Sequence, residues 1–101
     1  MLILKLHETR GKLIGAVCDS ELLGKKFEDK GVCLDLSSDF YSGQEVTEDD
    51  FEDVIMMFNI LNLVGSRAVG IAIKKGLVDK SRVLRVSGVL HAQVVNLNPV
   101  D

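Results

Sequence analysis

Leu2, Leu4 and Leu6 alternate with Ile3, Lys5 and His7 at the start of the chain. Such alternation marks a strand with one face in a core and the other toward water. Glu8-Thr9-Arg10-Gly11 reads as a turn and residues 12–18 as a second strand, so an N-terminal hairpin is predicted. Asp19 or Ser20 would then cap a short helical turn over residues 21–26. After the Asp29-Lys30-Gly31 turn, Val32, Leu34 and Leu36 alternate with Cys33 and Asp35 and predict a third strand. Residues 37–46 show no period and read as a loop.

The strongest helical signal follows Thr47. Threonine is a good N-cap, and the acids that follow it suit the positive end of a helix dipole. Phe51, Val54, Ile55, Phe58 and Leu61 make one apolar stripe at helical spacing. Asn62-Leu63-Val64-Gly65 reads as the break after this helix, with Ser66 capping a second one over residues 67–75. Val69, Ala72 and Ile73 would form its inner face. Lys74 and Lys75 then stand at its negative end, with Gly76 just beyond.

Residues 82–86 and 90–97 predict a closing hairpin. A two-residue Ser87-Gly88 turn would pair Val86 with Val89 and place His91 and Gln93 on the face of Leu84 and Val86. A three-residue loop, 87–89, would instead gather Leu84, Val86, Leu90, Ala92 and Val94 on one face. A one-residue slip exchanges the faces, so the apolar pattern favours the longer loop. Arg85 and His91 are then direct cross-strand neighbours. The elements together predict an α+β fold. Its antiparallel or mixed sheet has about five strands, hairpins at both ends of the chain, and two to three helices packed on it. A length of 101 residues suits a single domain over 1–101.

Composition changes this picture little. With 47% hydrophobic and 27% charged residues, the chain has enough apolar mass for a core and is not disordered. Its apolar runs fall well short of the roughly 20 residues that span a bilayer. The alternating N-terminus does not read as a signal peptide, so a cytoplasmic protein with reduced thiols is expected. Charge is more informative. Residues 1–53 hold 6 basic and 13 acidic side chains, and residues 54–101 hold 6 basic and 2 acidic. The net charge of −3 is therefore the sum of −7 and +4, and the fold should have an acidic and a basic pole.

Five longer motifs stand in order along the chain. They are Cys18-Asp19-Ser20-Glu21-Leu22-Leu23-Gly24-Lys25, Phe40-Tyr41-Ser42-Gly43, and Asn62-Leu63-Val64-Gly65-Ser66-Arg67-Ala68-Val69. Gly76-Leu77-Val78-Asp79 and Gly88-Val89-Leu90-His91-Ala92-Gln93-Val94-Val95 complete the set, and together the motifs resemble the DUF424 family of small archaeal proteins of unknown function. The family pattern would place a proline where Leu90 stands. The resemblance implies an archaeal cytosolic protein and a connection to translation, but no assigned activity. Asp19, Glu21 and Lys25 form a secondary candidate set, in which paired carboxylates could do acid–base work or simply cap a helix start, and Tyr41 is a further secondary candidate.

The chemistry of single residues narrows the options. His7, Cys18, Cys33 and His91 could ligate zinc only if gathered within ligand distance. With His7 paired to Lys12, Cys18 lies beside Met1, about 20 Å along the ladder, so no metal site is expected. No cofactor is expected either. Asn62, Gly65, Ser66 and Arg67 read in two ways. They form a simple interhelix turn, or an anion site where exposed N–H groups meet the Arg67 fork. Arg85, His91 and Gln93 form a second candidate row, in which a nearby positive charge would keep the imidazole neutral. Stacking on single-stranded RNA has few supports, since only Phe27, Phe40, Tyr41, Phe51 and Phe58 are aromatic. The leading expectation is a non-enzymatic binding module for an RNA or protein partner, away from membranes. The alternatives are a small-molecule binder or enzyme with His91 as acid–base, and a structural subunit that binds through apolar surface.

Overall fold

A computed structural model describes residues 1–95 of the chain. In chain order the elements are β1 (Leu2–Thr9), β2 (Lys12–Asp19), β3 (Lys26–Asp29), β4 (Val32–Asp35), β5 (Gln44–Val46), α1 (Glu48–Val54), β6 (Ile60–Val64), α2 (Ser66–Lys74), β7 (Leu84–Val86) and β8 (Val89–Val94). Single 3₁₀ turns lie at Ser20–Leu22, Asp39–Tyr41, Ile55–Met57 and Lys80–Arg82. The main sheet has six strands in the order β5-β1-β2-β6-β8-β7, and β3 and β4 form a separate pair. The sheet is mixed because β2 and β6 run parallel while its other neighbours are antiparallel. The α+β class is as expected, with more strands than the pattern suggested.

Two-residue turns set the hairpin registers. Arg10-Gly11, Lys30-Gly31 and Ser87-Gly88 each have positive φ at both positions, from 49° to 83°. This is the backbone of a type I′ turn, whose twist matches the strands it joins, and glycine takes its second position without strain. Thr9 therefore pairs with Lys12, and Cys18 lies opposite Ile3 rather than beside Met1. His7 and Cys18 are still separated by about 13 Å along the ladder, at ~3.3 Å per residue.

The predicted first helix is shorter than its apolar stripe. Thr47 caps it, accepting a 3.0 Å bond from the Asp50 N–H, but α1 ends at Val54 and its last turn tightens to 3₁₀ over Ile55–Met57. Asn59 then clamps the chain to β2. Its N–H donates to the Leu13 carbonyl at 2.8 Å, and its side-chain oxygen accepts from the Leu13 N–H at 2.7 Å. From there Ile60–Val64 extends along β2 as an interior strand of the sheet. The segment expected to separate two helices is thus a buried strand. A short apolar run does not reveal its own period, and here a tertiary pairing decides it.

Both faces of the sheet are covered. On one, Leu2, Val17, Leu61, Leu63, Ala92 and Val94 pack against Phe51, Ile55 and Phe58 near α1 and Val69 and Ala72 of α2. Gly15 permits this contact: a Cβ there would lie 2.9 Å from Leu61 and 3.0 Å from the Phe58 ring. On the other face, Ile3, Ala16, Cys18, Val64 and Val86 pack against Leu34, Leu36 and Tyr41. This second core overturns the expected C-terminal register. An apolar pattern selects a register only where one face of the hairpin is buried. Instead Val86 pairs with Val89, Arg85 with Leu90 and Leu84 with His91. Val86 enters one core, while Leu90, Ala92 and Val94 face the other. Residues 96–97 of the predicted final strand lie outside the described residues.

The second helix ends as its sequence suggested. Gly76 has φ 74°, and the N–H groups of Gly76 and Leu77 return to the carbonyls of Ile73 and Ala72 at 3.0 and 2.9 Å. That is a Schellman stop. No helix among the described residues is long and apolar enough to cross a membrane.

The β7–β8 register is directly measurable. A two-residue turn makes Arg85 and Leu90 a non-hydrogen-bonded pair, with Cα atoms about 4.5 Å apart. A strong nuclear Overhauser contact between their Hα protons is expected. Such a contact between Arg85 and His91 would restore the three-residue loop.

Candidate functional site

Asp19 is the last residue of β2, and its side chain turns to the helical face with only 4% of the residue exposed. Parallel pairing brings Val64 beside Cys18, so the next residue, Gly65, arrives next to Asp19. The Asp19 carboxylate then accepts the Arg67 N–H at 3.1 Å and the Ala68 N–H at 2.9 Å. Those are the second and third N–H groups of α2, the ones a helix leaves unpaired. Ser66 was expected to cap this helix. It is the first helical residue instead, and the cap comes from a strand 48 residues earlier. Gly65 has φ 109°, and a methyl group on it would overlap the Asp19 carboxylate.

Arg67 is engaged within the fold. Its Nη2 donates to both Glu21 carboxylate oxygens, at 2.7 Å to Oε2, and to the Met1 carbonyl at 3.3 Å. Its Nε is shielded and makes no hydrogen bond among the described residues, with Glu48 Oε2 4.0 Å away. The hydrogen bond from Arg67 lowers the Glu21 pKa below the usual glutamate value, and the same bond raises that of Arg67. The anion position at the start of α2 is therefore filled by the protein's own Asp19.

The β7–β8 turn closes the other side of this region. The Gly65 N–H donates to the Leu90 carbonyl at 2.8 Å. Between the 3₁₀ turn after β2, the start of α2 and this hairpin lies an open cleft of about 440 Å³. Asp19, Glu21, Gly65, Ser66, Arg67 and Arg85 supply its polar lining; Leu22, Val89 and Leu90 supply apolar walls. Arg85 makes no ion pair among the described residues.

The remaining sequence candidates lie elsewhere. Asn62 and Gln93 are cross-strand partners on the sheet face opposite the helices, and His91 sits on that face between Val64 and Leu84. His91 Nδ1 is 3.0 Å from the Leu63 carbonyl, so that nitrogen carries the proton and donates. Arg85 and His91 were expected to be neighbours on one face; the two-residue turn puts them on opposite faces. Lys25 lies in the turn before β3, bonded through its backbone to Leu22 and Leu36. Tyr41 is buried in the second core, where desolvation pushes its hydroxyl up to about 12. Burial likewise pushes the Cys18 thiol to about 11, which suits a small core residue better than a nucleophile. Cys33 is exposed. Among the described residues, no group of three or more His, Cys, Asp or Glu side chains could hold a metal ion.

Sequence reasoning missed the apolar half of the cleft, because Leu22 reads as part of a short helical turn and Val89 as part of a loop. It also missed a stack of His7 on Phe40, with centroids 4.4 Å apart and planes at 13°. His7 Nε2 donates to the Phe40 carbonyl at 2.9 Å. Thirty-three residues separate the two, and no local pattern joins them.

The fold and cleft define a small α+β protein with a helix-capped mixed sheet and a polar cleft at one end. The chain matches the family described as a protein of unknown function (DUF424) over residues 7–97, and it belongs to that family. It is also similar to an uncharacterized conserved protein from Methanopyrus kandleri whose crystal structure is known. The two share 26% identity with a TM-score of 0.79, over 99% of this chain and 95% of the other. No curated protein matches the chain.

Two predictions concern the cap and the ion pair. Asp19→Ala should lower stability by about 2 kcal/mol, since it leaves two N–H groups unpaired. Gly65→Ala should cost at least as much, through the φ and the overlap. Urea midpoints should fall with an unchanged slope, and unchanged midpoints would refute the cap. The Glu21 contribution follows from its depressed pKa. It is present above the ordinary glutamate pKa and is lost as pH falls through the lower folded value. Glu21→Gln should therefore flatten the acid limb of the stability profile. An identical limb in wild type and variant would show the pair to be inert.

Proposed function

We propose that this protein is a non-enzymatic binding module whose cleft between the Ser20–Leu22 turn, the start of α2 and the β7–β8 turn takes a segment of a protein partner. One observation carries this reading: four separate stretches of chain contribute to one open cleft with charged groups of both signs beside apolar walls. Mixed lining of this kind suits a polypeptide, which offers apolar side chains together with backbone donors and acceptors.

RNA is the less favoured partner for the same cleft. Asp19 and Glu21 repel phosphate, and Asp19 already fills the helix N-terminus where a phosphate would sit. An acid–base role for His91 has little support, because its ring is committed to the Leu63 carbonyl and does not line the cleft.

Affinity capture from the native cell extract tests the reading. Wild-type protein should retain a defined protein that is insensitive to nuclease. Arg85→Glu should reduce that retention at least tenfold, and Arg67→Ala should reduce it less, since Arg67 is partly occupied by Glu21. Retention that vanishes with nuclease and falls steeply with salt would replace the protein partner with RNA. Equal retention by wild type and Arg85→Glu would remove the cleft from binding altogether.

A further inference from the structure

The basic half of the chain is unevenly used. Of its six cations, Arg67 is paired with Glu21 and Lys74 with Glu52 at 3.2 Å. Lys75, Lys80, Arg82 and Arg85 make no ion pair among the described residues. Two of these four, Lys80 and Arg85, line one small pocket of about 140 Å³. It lies between α2, the Lys80–Arg82 turn and the β7–β8 hairpin. Its other lining residues are Ile73, Val83 and Leu90, all half-buried. No acidic side chain lines it. The nearest acid in sequence, Asp79, caps the Lys80–Arg82 turn: its Oδ1 accepts from the Ser81 N–H and hydroxyl, both at 2.9 Å, and its charge acts on Arg82.

We infer that this pocket seats a small carboxylate with an apolar body of about benzene size. Size comes first. An enclosed apolar cavity of about 150 Å³ holds benzene; this pocket has a similar volume but is partly open, which leaves an outlet for a polar head. Charge comes second. Two unpaired cations at one pocket leave a local excess of positive charge that an anionic head would neutralise. The Arg85 guanidinium is a planar fork that matches the two oxygens of a carboxylate, and Lys80 adds a point charge. The walls and the cations thus select different ends of the same molecule. Inorganic phosphate satisfies only the charge, and a neutral ring satisfies only the walls.

This inference stands apart from the partner-binding reading. The two sites share Arg85 and Leu90, but Lys80 and Val83 line only the small pocket, and Glu21 and Arg67 line only the larger cleft. Lys80→Gln therefore tests the pocket without touching the cleft.

Titration of isotope-labelled full-length protein, followed by amide chemical shifts, tests it with three probes. Benzoate should shift the amides of Val83, Arg85 and Leu90 with a Kd on the order of 1–10 mM, as its few heavy atoms allow. Benzamide and inorganic phosphate should each bind at least tenfold more weakly. Arg85→Gln should weaken benzoate about tenfold and Lys80→Gln about threefold, with unchanged spectra elsewhere confirming that both variants fold. Arg85→Lys should recover part of the loss. Equal binding of benzoate and benzamide would overturn the carboxylate assignment. So would equal binding of phosphate, or benzoate shifts that survive both substitutions. An absence of shifts with all three probes would overturn the pocket itself.

Discussion

The carboxylate of Asp19 joins the two halves of this fold. It closes β2, and it supplies the hydrogen bonds that the first turn of α2 lacks. A helix N-terminus buried against a sheet carries unpaired N–H groups and a partial positive charge, so it needs an acceptor from somewhere. Here the acceptor is ionisable and almost fully buried. Gly65 exists in the form the cap demands, with a backbone angle that favours glycine and no side chain to displace the carboxylate. The parallel pairing of β2 and β6 is what brings these residues together, and the cap in turn holds α2 on the sheet end.

The cleft follows from that junction. Once α2 starts beside Asp19, Arg67 projects toward the 3₁₀ turn and meets Glu21. The Leu90 carbonyl is drawn to Gly65, which sets the β7–β8 hairpin against the same end. Arg85, left without a partner, faces both the cleft and the smaller pocket beside it. The charges at this end of the fold are unevenly engaged. Asp19, Glu21 and Arg67 chiefly satisfy one another, and Arg85 and Lys80 remain available.

Coverage of both sheet faces explains where pattern reasoning failed. Alternation identifies a strand with one wet face, but β6 and β8 have apolar residues turned to two cores. For such strands the apolar positions do not choose a register, and turn geometry must. The X-Gly dipeptides at Arg10-Gly11, Lys30-Gly31 and Ser87-Gly88 carried that information. Each marks a place where two successive residues take positive φ, and each fixes its hairpin.

Local chemistry was legible in the chain itself: the first hairpin, the Thr47 cap, the inner face and glycine stop of α2, the α+β class and the likeness to DUF424. These depend on neighbours within a few residues, where periodicity, capping and turn preferences act. The convergence of Asp19 with Gly65 and Arg67 is a different matter. So are the strand at Ile60–Val64 and the stacking of His7 on Phe40. Each depends on contacts between residues far apart in the chain or on which strand lies beside which. Chain topology alone arranges such contacts, and no local period encodes them.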